Sequence, residues 1–404
     1  MPVSRRGFLQ FARPGGERLV GAWLAARGLE AHLAEAQTQG RSARPLLPPG
    51  VQEIRISSNE NPLGPGGPAL AAILGKFPEA GRYPFNSTPS EGDLQSAIAA
   101  KFKVKPENIV LGAGSQEILK NSMRAFVTPT RGLVTALPTF ENCTGYAKKY
   151  KLPITEVKVD SEFRLDVEPM IAAASKGAGL VFFNNPNNPT ATVHGAKTVS
   201  DMVERIRKAS PETVILIDEA YHDYVTDPSY RTAVPLAMST PNVIVARTFS
   251  KAYGMAGMRI GYAVGMADSV KKLAMLKMPY NVSVFGIAAA IASLNDPQHI
   301  ADESARNTQV RAFTVGALKQ MGAKPADSQG NFLFADIGMP AKDFRDACAK
   351  QGVMVGRDFP PFEKTHCRIS IGTMDEMKKA TDVFRDVLKA MMAAPAGSAS
   401  AKGR

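Results

Sequence analysis

The sequence predicts an α/β protein whose first unit is built on a parallel sheet and whose second, smaller unit is α+β. Two observations lead to this prediction. Between residues 90 and 270, short apolar runs alternate with helix-length segments, and the runs lack polar alternation, as strands buried on both faces of a parallel sheet do. After about residue 310 the pattern changes to helix, strand, helix, strand and a closing helix. The chain has 404 residues, which is enough for two domains of ordinary size.

Five strands and the helices between them define the first unit. The strands are predicted at residues 109–111, 133–137, 180–183, 214–217 and 243–246, with helices such as 116–126 and 199–209 between them. The smaller unit is predicted from helices at 310–321, 341–351 and 375–391 and from strands at 331–335 and 368–371. In open parallel sheets, ligands bind beyond the carboxyl ends of the strands. The polar residues that follow the predicted strands are therefore the candidates for a functional site.

Composition and charge argue against a nucleic-acid-binding or membrane protein. The hydrophobic share of 44% and the charged share of 21% are those of an ordinary globular chain. The net charge is +12, but much of it lies near the two ends, and no run of five like charges occurs. No apolar run approaches the ~20 residues of a membrane-spanning helix. We expect small-molecule partners, no nucleic acid and no stable membrane insertion.

The three cysteines are expected to be small buried hydrophobes. Cys143, Cys348 and Cys367 are far apart and odd in number, so they form neither a metal-binding spacing nor a disulfide framework. No metal site is predicted.

The two ends of the chain differ from the rest. Residues 5–9 read Arg-Arg-Gly-Phe-Leu, the pattern of a twin-arginine export signal. The uncharged stretch that follows, residues 19–26, is short for the apolar region of such a signal. Export to the periplasm and a retained N-terminal extension of a cytoplasmic protein both remain open. The segment 393–404 is rich in Ala, Gly, Ser and Lys and is predicted to be a disordered tail.

A carboxylate follows directly on the predicted strand 214–217. Burying Asp218 there is costly unless the carboxylate pairs with a cation. The protonated pyridine nitrogen of pyridoxal 5′-phosphate (PLP) is such a partner, because a carboxylate that keeps this nitrogen protonated makes the ring an electron sink. Tyr221, shortly after, could donate a hydrogen bond to the cofactor's phenolic oxygen. The pair Asp218-Glu219 also fits a metal ligand in a nucleotide site, but the phosphate-binding loop which that interpretation needs is absent.

The segment 182–190 reads Phe-Phe-Asn-Asn-Pro-Asn-Asn-Pro-Thr. Its two prolines end the strand in a rigid turn. It is either a plain Asn-Pro turn or the source of an Asn188 amide that donates to the same phenolic oxygen as Tyr221.

Near residue 112 a strand runs through glycines into a helix. The free N–H groups and dipole of the helix that begins at Ser115-Gln116, after Gly114, can hold a phosphate. The segment is similar to a dinucleotide-binding fingerprint, but Glu117 stands in place of the third glycine, so no NAD site is expected.

A lysine lies soon after the predicted strand 243–246. Free lysine prefers the surface, so Lys251 in this position indicates a reacting amine. Its amine can form an imine with the PLP aldehyde, and burial and nearby positive charge lower the pKa of such a lysine. Thr248 and Ser250 offer hydroxyl groups, and Arg259 a guanidinium, for the cofactor phosphate.

In this order along one chain, the motifs resemble class I/II aminotransferases of fold type I, and in particular the histidinol-phosphate aminotransferases. The resemblance covers roughly residues 50–392. It is carried by the motifs at residues 59–62, 82–84, 114–116, 138–140, 188–190, 218–221, 250–251, 259, 279–283 and 368–373.

The resemblance implies the architecture of aspartate aminotransferase, with a large PLP-binding domain on a mostly parallel seven-stranded sheet and a smaller α+β domain. The implied divisions are an N-terminal extension at 1–48, an arm that belongs partly to the small domain at 49–88, the large domain at 89–305, the small domain at 306–392 and the tail at 393–404.

The resemblance also implies a complete cofactor site. Lys251, Asp218 and Tyr221 are implied as catalytic residues, and Phe140 as the ring that stacks on the cofactor. The residues implied to bind PLP are Lys251, Asp218, Tyr221, Asn188, Phe140, Gly114, Ser115, Gln116, Thr248, Ser250, Arg259 and Tyr83.

Substrate and subunit contacts are implied as well. Arg368 would bind the substrate carboxylate, or the phosphate of histidinol phosphate, with Arg357 and Asn61 as further substrate contacts. Tyr83 would reach the phosphate of the neighbouring subunit's cofactor, so the resemblance implies a homodimer.

The implied activity is ping-pong transamination from an amino-acid or amino-phosphate donor to a 2-oxo acid. Similar scaffolds also carry PLP-dependent lyases and decarboxylases, which the sequence leaves open as an alternative. A non-enzymatic PLP-binding sensor is a weaker alternative, because residues 1–50 are too short and too interrupted by Pro and Gly for the DNA-binding domain of such regulators.

Two residues depart from the family pattern. Ala191 stands where the family usually has Gly, and at a positive φ it would cost about 1 kcal/mol. Gly356 separates Arg357 from the valine that it usually follows, which weakens the case for a substrate phosphate site. With the export motif, these departures favour a histidinol-phosphate aminotransferase-like enzyme that acts on another amino acid, with aromatic amino acids as candidates.

Overall fold

The computed structural model describes residues 53–393. The predicted extension at 1–48 with its export motif, and the tail beyond residue 393, lie outside the described residues. Within the described range, none of the helices has the length and apolar character that crossing a membrane requires.

A seven-stranded sheet carries the first unit, and all of its strands but one run in the same direction. β8 is the exception, since it pairs antiparallel with both β2 and β7. The spatial order is β2-β8-β7-β6-β5-β3-β4. The strands are β2 (Ile109–Ala113), β3 (Leu133–Leu137), β4 (Ile154–Lys158), β5 (Leu180–Asn184), β6 (Val214–Asp218), β7 (Val243–Thr248) and β8 (Ile260–Gly265). The mostly parallel seven-stranded sheet is confirmed.

The five predicted strands are all present, and four of them extend beyond their predicted ends. The prediction missed β4 and β8, for different physical reasons. β4 lies at the edge of the sheet and only one of its residues is buried, so it lacks the continuous apolar run of a central strand. β8 is buried throughout, but the glycines at its second position and its end resemble turn signals.

Helices cover both faces of this sheet. One face carries a large core with residues from α2, α5, α6, α7 and α9, and the other a core with residues from α3, α4 and α8. The helices of this unit are α1 (Gly67–Gly75), α2 (Glu91–Phe102), α3 (Ser115–Phe126), α4 (Asn142–Lys149), α5 (Val167–Ala174), α6 (Ala196–Ala209), α7 (Val234–Ser239), α8 (Ala267–Leu276) and α9 (Val284–Leu294). The three cysteines are all buried and free, as expected.

A second hydrophobic core lies around a small antiparallel sheet in the order β12-β10-β9. Ile54 and Ile56 from the beginning of the described chain pack into it, and β1 pairs with β11 in parallel. Its elements are β1 (Ile54–Arg55), α10 (Pro297–Gln320), β9 (Lys324–Pro325), β10 (Phe332–Asp336), α11 (Ala341–Lys350), β11 (Val353–Met354), β12 (His366–Ser370) and α12 (Met374–Ala393).

Helix α10 is longer than predicted. It begins at Pro297 rather than near residue 310, with Asp296 accepting a hydrogen bond from the backbone N–H of His299 at its start. The polar first half of the helix hid it from an interpretation based on apolar spacing. The helix therefore runs across the domain boundary predicted at residue 305, and the boundaries themselves stay a prediction.

Ala191 has a φ of +60° and is fully buried, so the expectation of a positive φ at this turn is confirmed. An L-residue in this region costs roughly 1–2 kcal/mol. Its methyl group packs in a small cluster with Tyr221, Tyr224, Ala252 and Phe332, which offsets part of this cost.

We expect Ala191→Gly to leave the free energy of unfolding within about 1 kcal/mol of wild type, because relief of the backbone strain and loss of a buried methyl group nearly cancel. Ala191→Val should cost at least ~2 kcal/mol, since a β-branched residue is strongly disfavoured at this φ. Urea unfolding of both variants measures this. As a control, valine at the exposed helical position Ala172 should cost only about 0.5 kcal/mol. Equal losses of unfolding free energy for valine at the two positions would contradict the proposed backbone strain at Ala191.

Candidate active site

A cavity of about 560 Å³ opens at the carboxyl ends of the parallel strands. Strands β5, β6 and β7, the N-terminus of α3, the segment 57–60 and the chain after β11 all contribute to its walls. Parallel pairing places Asn184 directly opposite Asp218 at adjacent strand ends. The predicted site residues that line the cavity are Ser115, Gln116, Phe140, Asn188, Asp218, Tyr221, Thr248, Ser250, Lys251, Arg259, Arg357 and Arg368.

Asp218 is the last residue of β6 and is only 2% exposed. Its Oδ1 accepts a hydrogen bond from the backbone N–H of Ala220 at 3.2 Å. Burial raises the pKa of Asp218 to about 7, because the carboxylate has lost the water that stabilises its charge. A buried carboxylate that lines a cavity fits a cationic group bound there, such as a protonated ring nitrogen.

Lys251 extends into the same cavity. Its Nζ donates to the Ser58 carbonyl oxygen at 3.3 Å and lies 5.5 Å from the centre of the Tyr221 ring. Burial, and then the positive charge of Arg368, lower the pKa of Lys251 to about 8. A substantial fraction of the amine is therefore neutral near pH 8, as a nucleophile or base requires.

An anion cradle lies beside Lys251, at the start of α3. Thr248 Oγ1 donates to Ser250 Oγ at 3.0 Å, and Arg259 donates to Ser250 Oγ at 3.3 Å and to Gln116 Oε1 at 3.4 Å. Gly114 has a φ of +72°, and a Cβ there would lie 2.3 Å from Arg259 Nη2. Hydroxyls, a guanidinium and a helix N-terminus together are the chemistry that binds a phosphate.

Asn59 is a cavity residue that the sequence argument did not single out. Its Nδ2 donates to the Tyr221 hydroxyl at 3.1 Å, while its Oδ1 accepts from Ser370 Oγ at 2.8 Å. Burial raises the pKa of Tyr221 to about 12, so the hydroxyl keeps its proton. The Tyr221 oxygen thereby accepts one hydrogen bond from Asn59. Its O–H group remains available to donate a hydrogen bond to a ligand in the cavity.

Asn61 and Tyr83 lie apart from these residues. Asn61 donates to the Ala252 carbonyl oxygen at 2.9 Å and accepts from the Leu63 N–H at 2.9 Å, so its amide is engaged in local structure outside the cavity lining. The neighbouring Asn59 lines the cavity and Asn61 does not, although the two asparagines belong to one motif. The substrate contact expected of Asn61 stays a prediction. Tyr83 is 69% exposed on the surface of the chain.

Arg368 on β12 is a buried arginine that lines the cavity. Its Nη1 donates to Asn188 Oδ1 at 2.8 Å and its Nη2 to the Ser57 carbonyl oxygen at 2.6 Å. Burial lowers the pKa of Arg368 to about 10, which still leaves it charged at neutral pH. A buried guanidinium that lines a cavity fits an anionic group of a ligand.

Gly356 explains how Arg357 reaches the same cavity. The Gly356 N–H donates to the Arg368 carbonyl oxygen at 2.8 Å, and a Cβ at residue 356 would lie 2.5 Å from that oxygen. Only glycine permits this approach. Arg357 is thus held beside Arg368, and its guanidinium pairs with Glu141, a cavity residue that the sequence argument also missed.

A buried ion pair lies beneath the site. Arg247 on β7 donates through Nε and Nη2 to Glu219 Oε2 at 3.0 and 2.8 Å. Because Glu219 is engaged in this way, it is not available as the metal ligand that the Asp-Glu motif suggested. Among residues 53–393, no cluster of three or more His, Cys, Asp or Glu side chains is arranged to hold a metal ion.

These features fit the requirements of PLP. The carboxylate, the amine of lowered pKa and the anion cradle correspond to the pyridinium nitrogen, the aldehyde and the phosphate of that cofactor. Together with the mostly parallel seven-stranded sheet, they define a PLP-dependent enzyme of fold type I.

The match to known families makes the class specific. Residues 51–384 match the family described as aminotransferase class I and II, and the chain belongs to this family. It is a PLP-dependent transaminase of the histidinol-phosphate aminotransferase type, which exchanges amino groups between amino acids and keto acids.

Several known proteins are similar over most of their length. The histidinol-phosphate aminotransferase of Moorella thermoacetica is 32% identical, covering 84% of this chain and 86% of that protein. The aromatic amino acid aminotransferase of Thermobifida fusca is 33% identical, covering 83% and 90%. The structure of histidinol-phosphate aminotransferase from Sinorhizobium meliloti in complex with pyridoxal-5′-phosphate has a TM-score of 0.78 at 26% identity, covering 84% and 92%.

We predict that Asp218→Asn stabilises the cofactor-free protein at pH 8. Because the pKa of Asp218 is raised to about 7, the folded chain keeps a proton that the unfolded chain loses above about pH 4. Wild-type stability therefore falls as the pH rises through this window. Asparagine removes the effect, so the variant should be more stable at pH 8 by roughly 2–4 kcal/mol, with a gain that shrinks toward pH 4.

Urea unfolding of cofactor-stripped protein at fixed concentration, from pH 4.5 to 8, measures this gain. Asp201→Asn is the control, since Asp201 pairs with Lys197 in solvent and should change stability by less than about 1 kcal/mol. A gain for Asp218→Asn that did not grow with pH would contradict the buried-carboxylate argument.

Proposed function

We propose that this enzyme transfers the amino group of an amino acid with an uncharged side chain, aromatic amino acids included, to a 2-oxo acid. In this proposal Lys251 is the proton-transferring base and Arg368 the carboxylate anchor. The observation that carries the proposal is that Lys251, Asp218 and Arg368 line one cavity, so that cofactor and substrate groups can be held together.

Asp218, Phe140 and the anion cradle are proposed to hold the cofactor. Asp218 would pair with the ring nitrogen, and Phe140 would stack on the ring. Asn188 uses its Oδ1 to accept from Arg368, which leaves its Nδ2 to donate to the phenolic oxygen beside Tyr221. The proposed phosphate ligands are Gly114, Ser115, Gln116, Thr248, Ser250 and Arg259.

PLP, when bound, supplies an aldehyde for the amino group and a ring that delocalises the electrons left after Cα loses its proton. Lys251 Nζ is proposed to hold the cofactor before substrate arrives and to accept the Cα proton once freed. It would deliver this proton to C4′ of the cofactor. A lysine whose pKa is lowered to about 8 is suited to both steps, because it is neutral in part at physiological pH and is regenerated easily.

The charges at the substrate end support a donor with one carboxylate and an uncharged side chain. Arg357 is paired with Glu141, and Arg345 donates to Asp358 at 2.6 Å. Arg368, by contrast, is bound to neutral partners only, Asn188 Oδ1 and a backbone carbonyl oxygen. One guanidinium without a carboxylate partner matches one α-carboxylate.

A donor that carries a phosphate is the second candidate. Arg357 and Arg368 line the same cavity, so a phosphate could bind both arginines if it displaced Glu141. Of the three similar proteins described above, two are named histidinol-phosphate aminotransferases and one an aromatic amino acid aminotransferase, which makes these donors the pair to compare.

A panel of donors, each assayed in the half-reaction that needs no acceptor, tests the proposal. We expect aromatic and other uncharged amino acids to react with a higher kcat/KM than histidinol phosphate. The loss of the cofactor's absorption band measures this reaction. Lys251→Ala should lower turnover at least ~1000-fold, since it removes both the covalent anchor and the base.

Three outcomes of the panel would contradict the proposal. Activity with histidinol phosphate alone would reverse the preference for an uncharged donor. Release of carbon dioxide without formation of a keto acid would favour a decarboxylase. An active Lys251→Ala variant would remove Lys251 from its role.

A homodimer is typical of this family, and we propose that this chain forms one through an apolar face. Exposed apolar side chains come from two stretches, 63–85 and 275–280, which meet where the rings of Tyr83, Phe85 and Tyr280 lie 5.3–6.1 Å apart. Apolar patches of this kind mark interfaces. The exposed apolar residues of these two stretches are Leu63, Leu70, Leu74, Phe77, Tyr83, Phe85, Met275, Met278 and Tyr280.

Tyr83 is proposed to extend from this face to the cofactor phosphate of the partner subunit. We expect Tyr83→Phe to weaken PLP binding about 10- to 100-fold, because a hydrogen bond to a charged group contributes about 1.5–3 kcal/mol. Titration of the cofactor-free protein with PLP measures the loss, and light scattering measures the oligomeric state. Tyr150→Phe, another exposed tyrosine, is the control. Unchanged PLP affinity, or a monomer with full activity, would contradict the shared site.

A further inference from the structure

We propose that Glu141 determines the charge preference of the enzyme by occupying Arg357, so that donors with a second anionic group bind poorly. The inference deepens the proposed function and rests on it, because it concerns the substrate end of the same cavity. Without the Glu141 carboxylate, Arg357 and Arg368 would together offer two positive charges to a ligand.

The ion pair between Glu141 and Arg357 joins two distant parts of the chain at the mouth of the cavity. Glu141 immediately precedes α4, beside the first unit's sheet, and Arg357 follows β11 near the second core. Their side chains are 52% and 48% exposed, although both residues line the cavity. A substrate side chain that enters the cavity therefore meets this pair.

The ring of Phe359 contacts the guanidinium groups of both Arg357 and Arg368. The guanidinium carbon of Arg357 lies 4.2 Å from the centre of the Phe359 ring, and that of Arg368 lies 4.8 Å from it. Phe359 is itself buried. Both distances are within the range of a cation–π contact, so Arg357 stays at the cavity through the ring while Glu141 engages its charge.

The charge of Glu141 also reaches Arg368. Burial lowers the pKa of Arg368, and the negative charge of Glu141 partly offsets this effect, whereas Arg357 adds to it. The two arginines and Glu141 thus form one electrostatic group. Because like charges repel at these distances, a second substrate anion placed at Arg357 would meet the Glu141 carboxylate.

The other charged side chains at this end have their own partners. Arg345 is bound to Asp358, and Glu60 lies 3.2 Å from Arg55. A donor with an uncharged side chain can therefore bind with the Glu141–Arg357 pair intact. A donor with an acidic side chain must displace the Glu141 carboxylate before its own carboxylate can bind Arg357.

Glu141→Gln tests the inference, because it removes the charge and keeps the shape. The measurement compares L-glutamate with L-glutamine, which differ in one charge, by their kcat/KM in the half-reaction that consumes the cofactor's absorption band. We expect the glutamate-to-glutamine ratio to rise about tenfold in the variant, from the loss of a competing ion pair and of a like-charge repulsion. The dissociation constant of glutarate, which lacks an amino group and cannot react, should fall by a similar factor.

Two further variants make the result specific. Glu162→Gln removes a comparable solvent-exposed acid, which lies 3.6 Å from Arg164, and should leave the ratio unchanged. In the double variant Glu141→Gln with Arg357→Gln, the gain for glutamate should disappear, since the released guanidinium is no longer present.

The inference is overturned if Glu141→Gln shows the wild-type ratio and the wild-type affinity for glutarate. It is also overturned if the gain persists in the double variant, because Glu141 would then act through a group other than Arg357. Failure of the proposed function has a different signature. In that case no amino acid consumes the cofactor's absorption band in the wild-type enzyme, while the effect on glutarate affinity can still be measured.

Discussion

The burial of one carboxylate at the end of a parallel strand is the constraint on which the rest of the site depends. Asp218 ends β6, between β5 and β7, so every neighbouring strand end opens toward the same cavity. Without water the carboxylate resists ionisation, and the folded chain gains from a cation bound beside it. The pair of Glu219 and Arg247 directly beneath ties β6 to β7.

Close backbone approaches convert this sheet edge into a cofactor site. The antiparallel strand β8 returns from Arg259 alongside β2, and the Gly114 N–H donates to the Arg259 carbonyl oxygen at 2.9 Å. The absence of a Cβ at Gly114 leaves space for the Arg259 guanidinium at the start of α3. Gly356 serves the substrate end in the same way, because it lets the segment after β11 approach β12. Local backbone geometry thus decides where each guanidinium points.

Electrostatics divides the cavity into two ends with different chemistry. At the proposed cofactor end, Asp218 and the anion cradle would present opposite charges to the two poles of one ligand. At the substrate end, positive charge is largely cancelled: Arg357 by Glu141 and Arg345 by Asp358. Arg368 remains, held by a side-chain oxygen and a backbone carbonyl. In our proposal, the counter-ions rather than the number of arginines therefore define which substrates this end of the cavity favours.

The sequence by itself determined the fold class, the buried strands and the residues that follow them, because continuous apolar runs and the local chemistry of strand ends are encoded in neighbouring residues. For this reason it predicted candidate cofactor residues from Asp218 to Arg259 that line one cavity in the structure. Edge strand β4, glycine-containing β8 and the polar half of α10 lacked such a signal. Only the tertiary structure placed Asn59 rather than Asn61 in the cavity lining. It also paired Glu141 with Arg357, residues from the two separate units of the chain. Such contacts depend on how distant segments pack, which no local pattern records.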